Sequence, residues 1–315
     1  MNKQRVVVAL GGNAILQPGQ KGTYLEQYAN VDRTCDQLAR MVLGGQYQLM
    51  ITHGNGPQVG NILLQNELAK ETVSSMPLDV CGAQSQGFIG YMMQQSLYNH
   101  FITANQRNIP VVTLVTQVLV DAKDPAFAHP SKPVGPFYTQ AQAKQLQQEK
   151  GYAMKEDAGR GWRRVVPSPH PKGISEKEAI LALLKAGTVV VTSGGGGIPV
   201  VEKAGKLVGV EAVIDKDRSA EVLAEAVGAD ALLILTDVPQ VKLHYKKPQE
   251  QALSKVTVAQ AQQYVSEGHF AAGSMGPKVE ASVRFAQRGK RAIVASLDQA
   301  LDALEGKAGT TFVKQ

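Results

Sequence analysis

Six short apolar runs, separated by longer stretches with helical spacing, constrain this chain more than any other feature. The runs lie at 6–10, 49–52, 111–115, 188–193, 231–236 and 291–296. Between them, 24–43, 58–70, 83–105, 176–186, 219–227, 258–267 and 277–287 carry apolar residues at three- and four-residue intervals. Strands without polar alternates must be covered on both faces, which calls for helices above and below a parallel sheet. The expected fold is therefore a three-layer α/β/α sandwich with a mainly parallel central sheet. Pro57, behind Gly54–Gly56, suits a first helical position, and Ser175 with Glu178 has the spacing of a capping box.

The rhythm breaks between about 121 and 171, where proline is dense at both ends and apolar periodicity is poor. Because the strand pattern resumes afterwards, this segment reads as a small protruding subdomain inserted into one domain spanning 1–315. At 43% hydrophobic and 19% charged residues, the chain can bury a sizeable core and is not intrinsically disordered. No run of ~18 apolar residues is present, so no transmembrane helix is expected. The opening MNKQRVVVALGGNAI is too short in its apolar part for a secretory signal. Two cysteines, Cys35 and Cys81, lie far apart and argue for a reducing, cytoplasmic setting.

A net charge of +6 admits anionic partners. Aromatics are only 5%, and the basic clusters at 160–164 and 242–247 are short, so neither nucleic acid nor membrane is the expected partner. A small polyanion fits better. Glycine points the same way: 31 of 315 residues is above the ~7% average, and the excess gathers where strands end. Gly11-Gly12-Asn13 follows the first run, His53-Gly54-Asn55-Gly56-Pro57 the second, and Gly194 to Gly197 the fourth. In open parallel sheets ligands bind beyond the carboxyl ends of strands, and glycine lets backbone N–H groups approach anionic oxygens there.

The familiar phosphate signatures, G-x-x-x-x-G-K-[ST], G-x-G-x-x-G and the protein-kinase set, are absent. GAQSQG at 82–87 places Ser85 one residue out of register for a nucleophile elbow and reads as a helix start. The six histidines show no metal-ligand spacing, and only His53 neighbours a glycine loop. Three lysines stand out because proline, glycine or carboxylates hold them in place: Lys132 in HPSKPVGPF, Lys216 in IDKD, and Lys278 in GSMGPK. Lysine is a point charge suited to phosphate oxygens.

These motifs together resemble the carbamate kinases, a branch of the amino acid kinase family. The resemblance runs from ALGGNAI (9–15) and THGNGPQVGN (52–61) through DPAFAHPSKPVGPFY (124–138) and EDAGRGWRRVVPSP (156–169). It continues in GGGGIPV (194–200), EAVIDKD (211–217) and GHFAAGSMGPKVEA (268–281). It implies an ATP:carbamate phosphotransferase that interconverts ATP and carbamate with ADP and carbamoyl phosphate, using Mg²⁺. It also implies a cytoplasmic homodimer that often runs towards ATP in arginine or purine breakdown. By analogy, Gly11, Gly12, Asn13, Gly54, Asn55 and Gly56, with Gly195 and Gly196, would hold the carbamate and the migrating phosphoryl group. Lys216 and Lys278 would neutralise charge, Asp217 rather than Asp215 would orient them, and Lys132 would close over the substrate. Asp237, Tyr245, Met275 and Gly276 would hold the nucleotide, placing phosphoryl transfer in the N-terminal half and nucleotide binding in the C-terminal half.

The sequence departs from the family after IDKD, where Arg218-Ser219-Ala220 replaces the common Leu-Ala-Ser or Leu-Ala-Ala. Arg218 leaves two readings open: it points outward, or it changes nucleotide affinity. A kinase for another small carboxylate, a catalytically silent sensor, and a nucleic-acid binder are the alternatives. The insertion counts against the first, and the three lysines count against the second.

Overall fold

The computed structural model describes residues 3–157, 159, 161–271 and 273–315. Its main sheet has eight strands. In spatial order they are Lys255–Thr257 (β15), Thr310–Val313 (β17), Arg291–Ser296 (β16), Ala231–Thr236 (β12), Gln4–Leu10 (β1), Tyr47–His53 (β2), Val189–Val191 (β9) and Val111–Thr113 (β3). All neighbouring pairs are parallel except β16 with β17. β1 lies between β2 and β12, with Leu10 opposite His53 on one side and Leu235 on the other. The chain therefore leaves β1 in opposite directions to reach its two neighbours. That arrangement opens a crevice beyond their carboxyl ends.

Alternate residues of each strand feed two cores. Val7, Ala9, Met50, Leu232, Ile234 and Val294 face the layer built from Lys177–Lys185 (α5), Lys216–Ala226 (α6), Val258–Ser266 (α7) and Met275–Gln287 (α8). Val6, Val8, Leu10, Ile51, Leu233 and Ile293 face Tyr24–Leu43 (α1), Leu78–Thr103 (α3) and Ala300–Leu304 (α9). The expected three-layer sandwich is what folds, because a strand apolar at every position has two faces to bury.

The 24–43, 231–236 and 291–296 boundaries agree with the sequence reading, and Pro57 sits in the first turn of Gly56–Ala69 (α2). The capping box does not form. α5 begins after Glu176, one residue later than the box requires, and Ser175 N donates to Gln117 O at 3.1 Å rather than to Glu178, so a tertiary contact displaces the local cap. GAQSQG is not a helix start either: α3 opens at Leu78, and Ser85 lies inside it and fully buried.

A second sheet joins Gln117–Val120 (β4), Pro171–Ile174 (β8), Ile198–Lys203 (β10) and Lys206–Gly209 (β11), in the order β11-β10-β4-β8. Between β4 and β8, a three-stranded sheet of Lys132–Tyr138 (β5), Met154–Glu156 (β6) and Trp162–Val166 (β7) carries the helix Gln140–Lys150 (α4). Val134 and Val166 of this sheet pack on Val59, Leu78 and Cys81 of α2 and α3. A two-stranded ribbon, Lys242–Leu243 (β13) with Gln251–Ala252 (β14), follows β12.

Candidate active site

Three glycine-bearing turns and the N-termini of α2, α6 and α8 gather beyond the ends of β1, β2 and β9. After β1 the chain tightens into a 3₁₀ turn, Gly12–Ala14. After β2, Asn55 precedes α2 but does not cap it; its amide instead donates to Ser85 Oγ at 2.8 Å. The third turn, Gly194–Gly196, is held from below. Gln86 Nε2 donates to Gly194 O at 3.0 Å, and Gln86 Oε1 accepts from Thr116 N at 2.9 Å. Gly195 has φ +68°, and a Cβ there would collide with the Asn55 amide; a Cβ on Gly196 would strike Ile214 O. These two positions demand glycine by crowding and backbone angle together.

His53 is buried, and its Nδ1–H donates to Gly54 O at 2.9 Å. Burial pushes its imidazole down to about 4, so it is neutral at pH 7. Its Nε2 side fills the space where a side chain on Gly194 would stand. His53 is thus a wedge between two glycine loops.

The charged centre is built on α6. Asp215 is the N-cap residue, and its Oδ1 accepts from Asp217 N at 2.9 Å. Its Oδ2 accepts from Lys132 Nζ at 2.9 Å, so the start of β5 reaches the start of α6. Burial alone would raise the Asp215 carboxyl; Lys132, Lys216 and the Asp217 N–H outweigh it and hold it at about 2. Asp217 is 2% exposed and takes one lysine on each oxygen: Lys216 Nζ at 2.5 Å on Oδ1 and Lys278 Nζ at 3.0 Å on Oδ2. Burial, reinforced by Lys278, pushes the Lys216 ammonium below the usual lysine range, opposed by Asp217. Three ammonium groups face two carboxylates here, leaving one positive charge in excess before any ligand enters. The Lys216 stem also lies against Gly54, where a Cβ would touch its Cδ at 3.5 Å.

An open cleft of about 1320 Å³ runs from this centre over the C-terminal half. Gly11, Gly12, Asn13, Lys216, Asp237, Tyr245, Met275 and Lys278 are in its wall. Lys132, Gly54, Asn55, Gly56, Gly195 and Gly196 lie outside that wall, on the β2 and β5 side of the charged centre. Gly276 closes the first turn of α8, its N–H donating to Ala271 O at 2.9 Å. His244 and His269 meet edge to face, 4.5 Å apart, near the exposed Tyr245. Arg218 does not enter the cleft wall; its Nε and Nη2 donate to Glu280 Oε2 on α8 at 3.1 and 2.9 Å.

The sequence pattern of the amino acid kinase family matches residues 4–296. The carbamate kinase of Thermococcus kodakarensis is 56% identical, with 99% of this chain and 100% of that protein aligned. The chain belongs to the amino acid kinase family, among the carbamate kinases. Carbamate kinase 2 of Enterococcus faecalis is 49% identical over 97% of both chains. The structure of Giardia lamblia carbamate kinase bound to AMP-PNP superposes with a TM-score of 0.94 at 48% identity, covering 99% of each chain. A fold and sequence shared at this level make the chain a kinase of the carbamate kinase type.

Ser85, Gln86 and Thr116 escaped the reading of the sequence as supports of the site. The one signal was GAQSQG itself: three consecutive polar residues, Gln84, Ser85 and Gln86, between small residues of one helix. Asp215 was ranked behind Asp217, yet it is the partner of Lys132.

Proposed function

We propose that this chain transfers a phosphoryl group reversibly between ATP and carbamate, giving ADP and carbamoyl phosphate. In this reading it serves mainly to make ATP from carbamoyl phosphate released in arginine or purine catabolism. The carrying observation is the grip of Asp217 on both Lys216 and Lys278, at the meeting point of the glycine turns. Names and alignments of the relatives support the choice of carbamate, and the AMP-PNP complex of the Giardia enzyme supports a nucleotide in the cleft.

In the ATP-forming direction a β-phosphate oxygen of ADP attacks phosphorus, and the bond from phosphorus to the carbamate oxygen breaks. The leaving carbamate is already a stable anion, so no side chain has to shuttle a proton. Catalysis is then positioning and charge stabilisation. Lys216 and Lys278 offset the charge on the equatorial and bridging oxygens. The backbone of Gly11, Gly12 and Asn13, with Gly54, Asn55, Gly56, Gly195 and Gly196, cradles the migrating group, and Gly195 leaves the room that the Asn55 amide fills. Lys132 arrives on the inserted segment 121–171, which acts as a lid against water. Asp237, Tyr245, Met275 and Gly276 serve the nucleotide, so the C-terminal half is the nucleotide side of one 1–315 domain.

Among the described residues no three His, Cys, Asp or Glu side chains gather to hold a metal ion. Mg²⁺ would enter on the nucleotide phosphates and offset their charge there, and Asp237, a carboxylate in the cleft wall, would help to hold it. Val80, Phe88, Tyr91 and Ile102 form an exposed apolar stripe on α3, opposite its buried Ile89, Met93 and Leu97. Such a stripe supports a homodimer. The cytoplasmic site of action rests on the resemblance to the family; among the described residues no helix is long and apolar enough to cross a membrane.

The test is ATP formation from ADP and carbamoyl phosphate with Mg²⁺, set beside phosphorylation of carbamate, acetylglutamate and aspartate by ATP. Turnover confined to carbamate and carbamoyl phosphate is expected; preference for another acceptor would overturn the reading.

A further inference from the structure

Helices α6 and α8 lie side by side in parallel. Their first turns are joined by Asp217 with Lys278, and their far ends by Glu225 with Arg288 at 2.6 Å. Between these run Arg218 with Glu280 at 2.9 Å, and Glu221, its side chain only 3% exposed, near Arg284 and Arg288 at 4.0 and 3.8 Å. The order of signs matters. α6 offers acid, base, acid, acid at 217, 218, 221 and 225, and α8 offers base, acid, base, base at 278, 280, 284 and 288. One rung, Arg218 with Glu280, is inverted.

An all-acidic helix beside an all-basic one attracts equally well in several registers. The inverted rung removes that freedom. Sliding α8 by one turn, about 5.4 Å, brings Arg284 against Arg218 in one direction and Glu280 against Glu221 in the other. Either slip exchanges an attraction for a like-charge contact. Ala220 on α6 and Ala281 on α8, both fully buried in one shared core, are too small to set the register themselves.

From this we infer that Arg218 and Glu280 are positioning residues that fix α8 along α6 and so bring Lys278 onto Asp217. The inference rests on the proposed roles of Lys216 and Lys278. Arg218 sits one residue from Asp217, and Glu280 two residues from Lys278, so the rung acts where a small displacement reaches the phosphoryl group. It also explains the departure from the family pattern at 218: the arginine serves the helix pair rather than the nucleotide.

Arg218→Met, Glu280→Met, the double variant and Arg218→Lys would be assayed in the ATP-forming direction, with Lys278→Ala alongside and thermal unfolding of each. Both Arg218 and Glu280 are partly solvated, so loss of either partner leaves the chain able to fold. Each single methionine variant is expected to lose about tenfold in kcat, since misplacement by an ångström can cost up to ~100-fold. The KM for ADP and for carbamoyl phosphate should stay within about twofold of the parent, because binding groups are untouched. The double variant should be no slower than either single one, and Arg218→Lys should retain most of the parental kcat. Unchanged kcat with a lowered melting temperature would reduce the pair to scaffolding and overturn the inference. A raised KM for ADP at constant kcat would make Arg218 a nucleotide contact and overturn it as well. Full turnover by Lys278→Ala would instead remove the reading beneath it, a failure visible whatever the Arg218 variants do.

Discussion

Lys278 reaches across from α8 to place its Nζ 3.0 Å from Oδ2 of Asp217 on α6. The contact joins two helices whose N-termini both open towards the crevice beside β1, and it lets one buried carboxylate serve two lysines. Removing the carboxylate charge leaves two ammonium groups facing each other in a site with little water. Asp217→Asn should therefore lower kcat by at least about a hundredfold and cost roughly 3–5 kcal/mol of stability, the range for breaking a buried ion pair. Steady-state kinetics with urea unfolding checks both; parental kcat with reduced stability would leave Asp217 a structural role only.

Lys216 and Lys278 carry the charge argument directly. Lys216→Ala and Lys278→Ala should each cost ~2.7–4 kcal/mol of barrier, roughly a hundredfold to a thousandfold in rate, as loss of one aligned donor does elsewhere. Full turnover in both would end the assignment.

Lys132 approaches from the inserted sheet and touches Asp215 rather than Asp217. Lys132→Met should reduce kcat/KM for carbamoyl phosphate about tenfold or more while leaving the KM for ADP unchanged, because the cleft wall over the C-terminal half excludes it. Parallel loss of ADP affinity would contradict a lid that serves the small substrate alone.

His53 supplies a pH signature. Its folded value is about 4 against an ordinary 6.5, so below pH 6.5 the unfolded chain binds the proton that the folded chain refuses. The stability this neutral imidazole contributes is complete above pH 6.5 and is lost progressively down to pH 4, about 3 kcal/mol in all. Urea midpoints between pH 7 and 5 should fall for the parent and fall less for His53→Gln. Identical slopes would show that other groups govern the window.

Two glycines should respond oppositely. Gly195→Ala meets the Asn55 amide in a left-handed conformation and should destabilise the fold by more than ~1–2 kcal/mol. Gly12 has no heavy atom within 4 Å of its missing Cβ, so Gly12→Ala should unfold like the parent yet turn over more slowly. Calorimetry and the kinase assay separate the two.

How far the sequence could be read follows from the range of the forces involved. The apolar runs at 231–236 and 291–296 became strands because continuous hydrophobicity over six residues has one economical burial, between two helical layers. The capping box at Ser175 failed because a residue distant in sequence, Gln117, took the Ser175 N–H that Glu178 would have accepted. Local pattern could not report that rival.

Candidate residues divide along the same line. Glycines after strands, and lysines fixed by proline or carboxylates, were legible because backbone clearance and tethering are local properties. Sequence alone thus determined the sandwich, the glycine turns that follow its strands, and the lysines tethered beside proline, glycine or carboxylates. Tertiary structure decided the partnerships: Lys132 with Asp215, Lys278 with Asp217, Arg218 with Glu280, and Asn55 with Ser85. Each joins residues from separate elements, and a charge or hydrogen bond acts over a few ångströms of space whatever the number of residues between its ends.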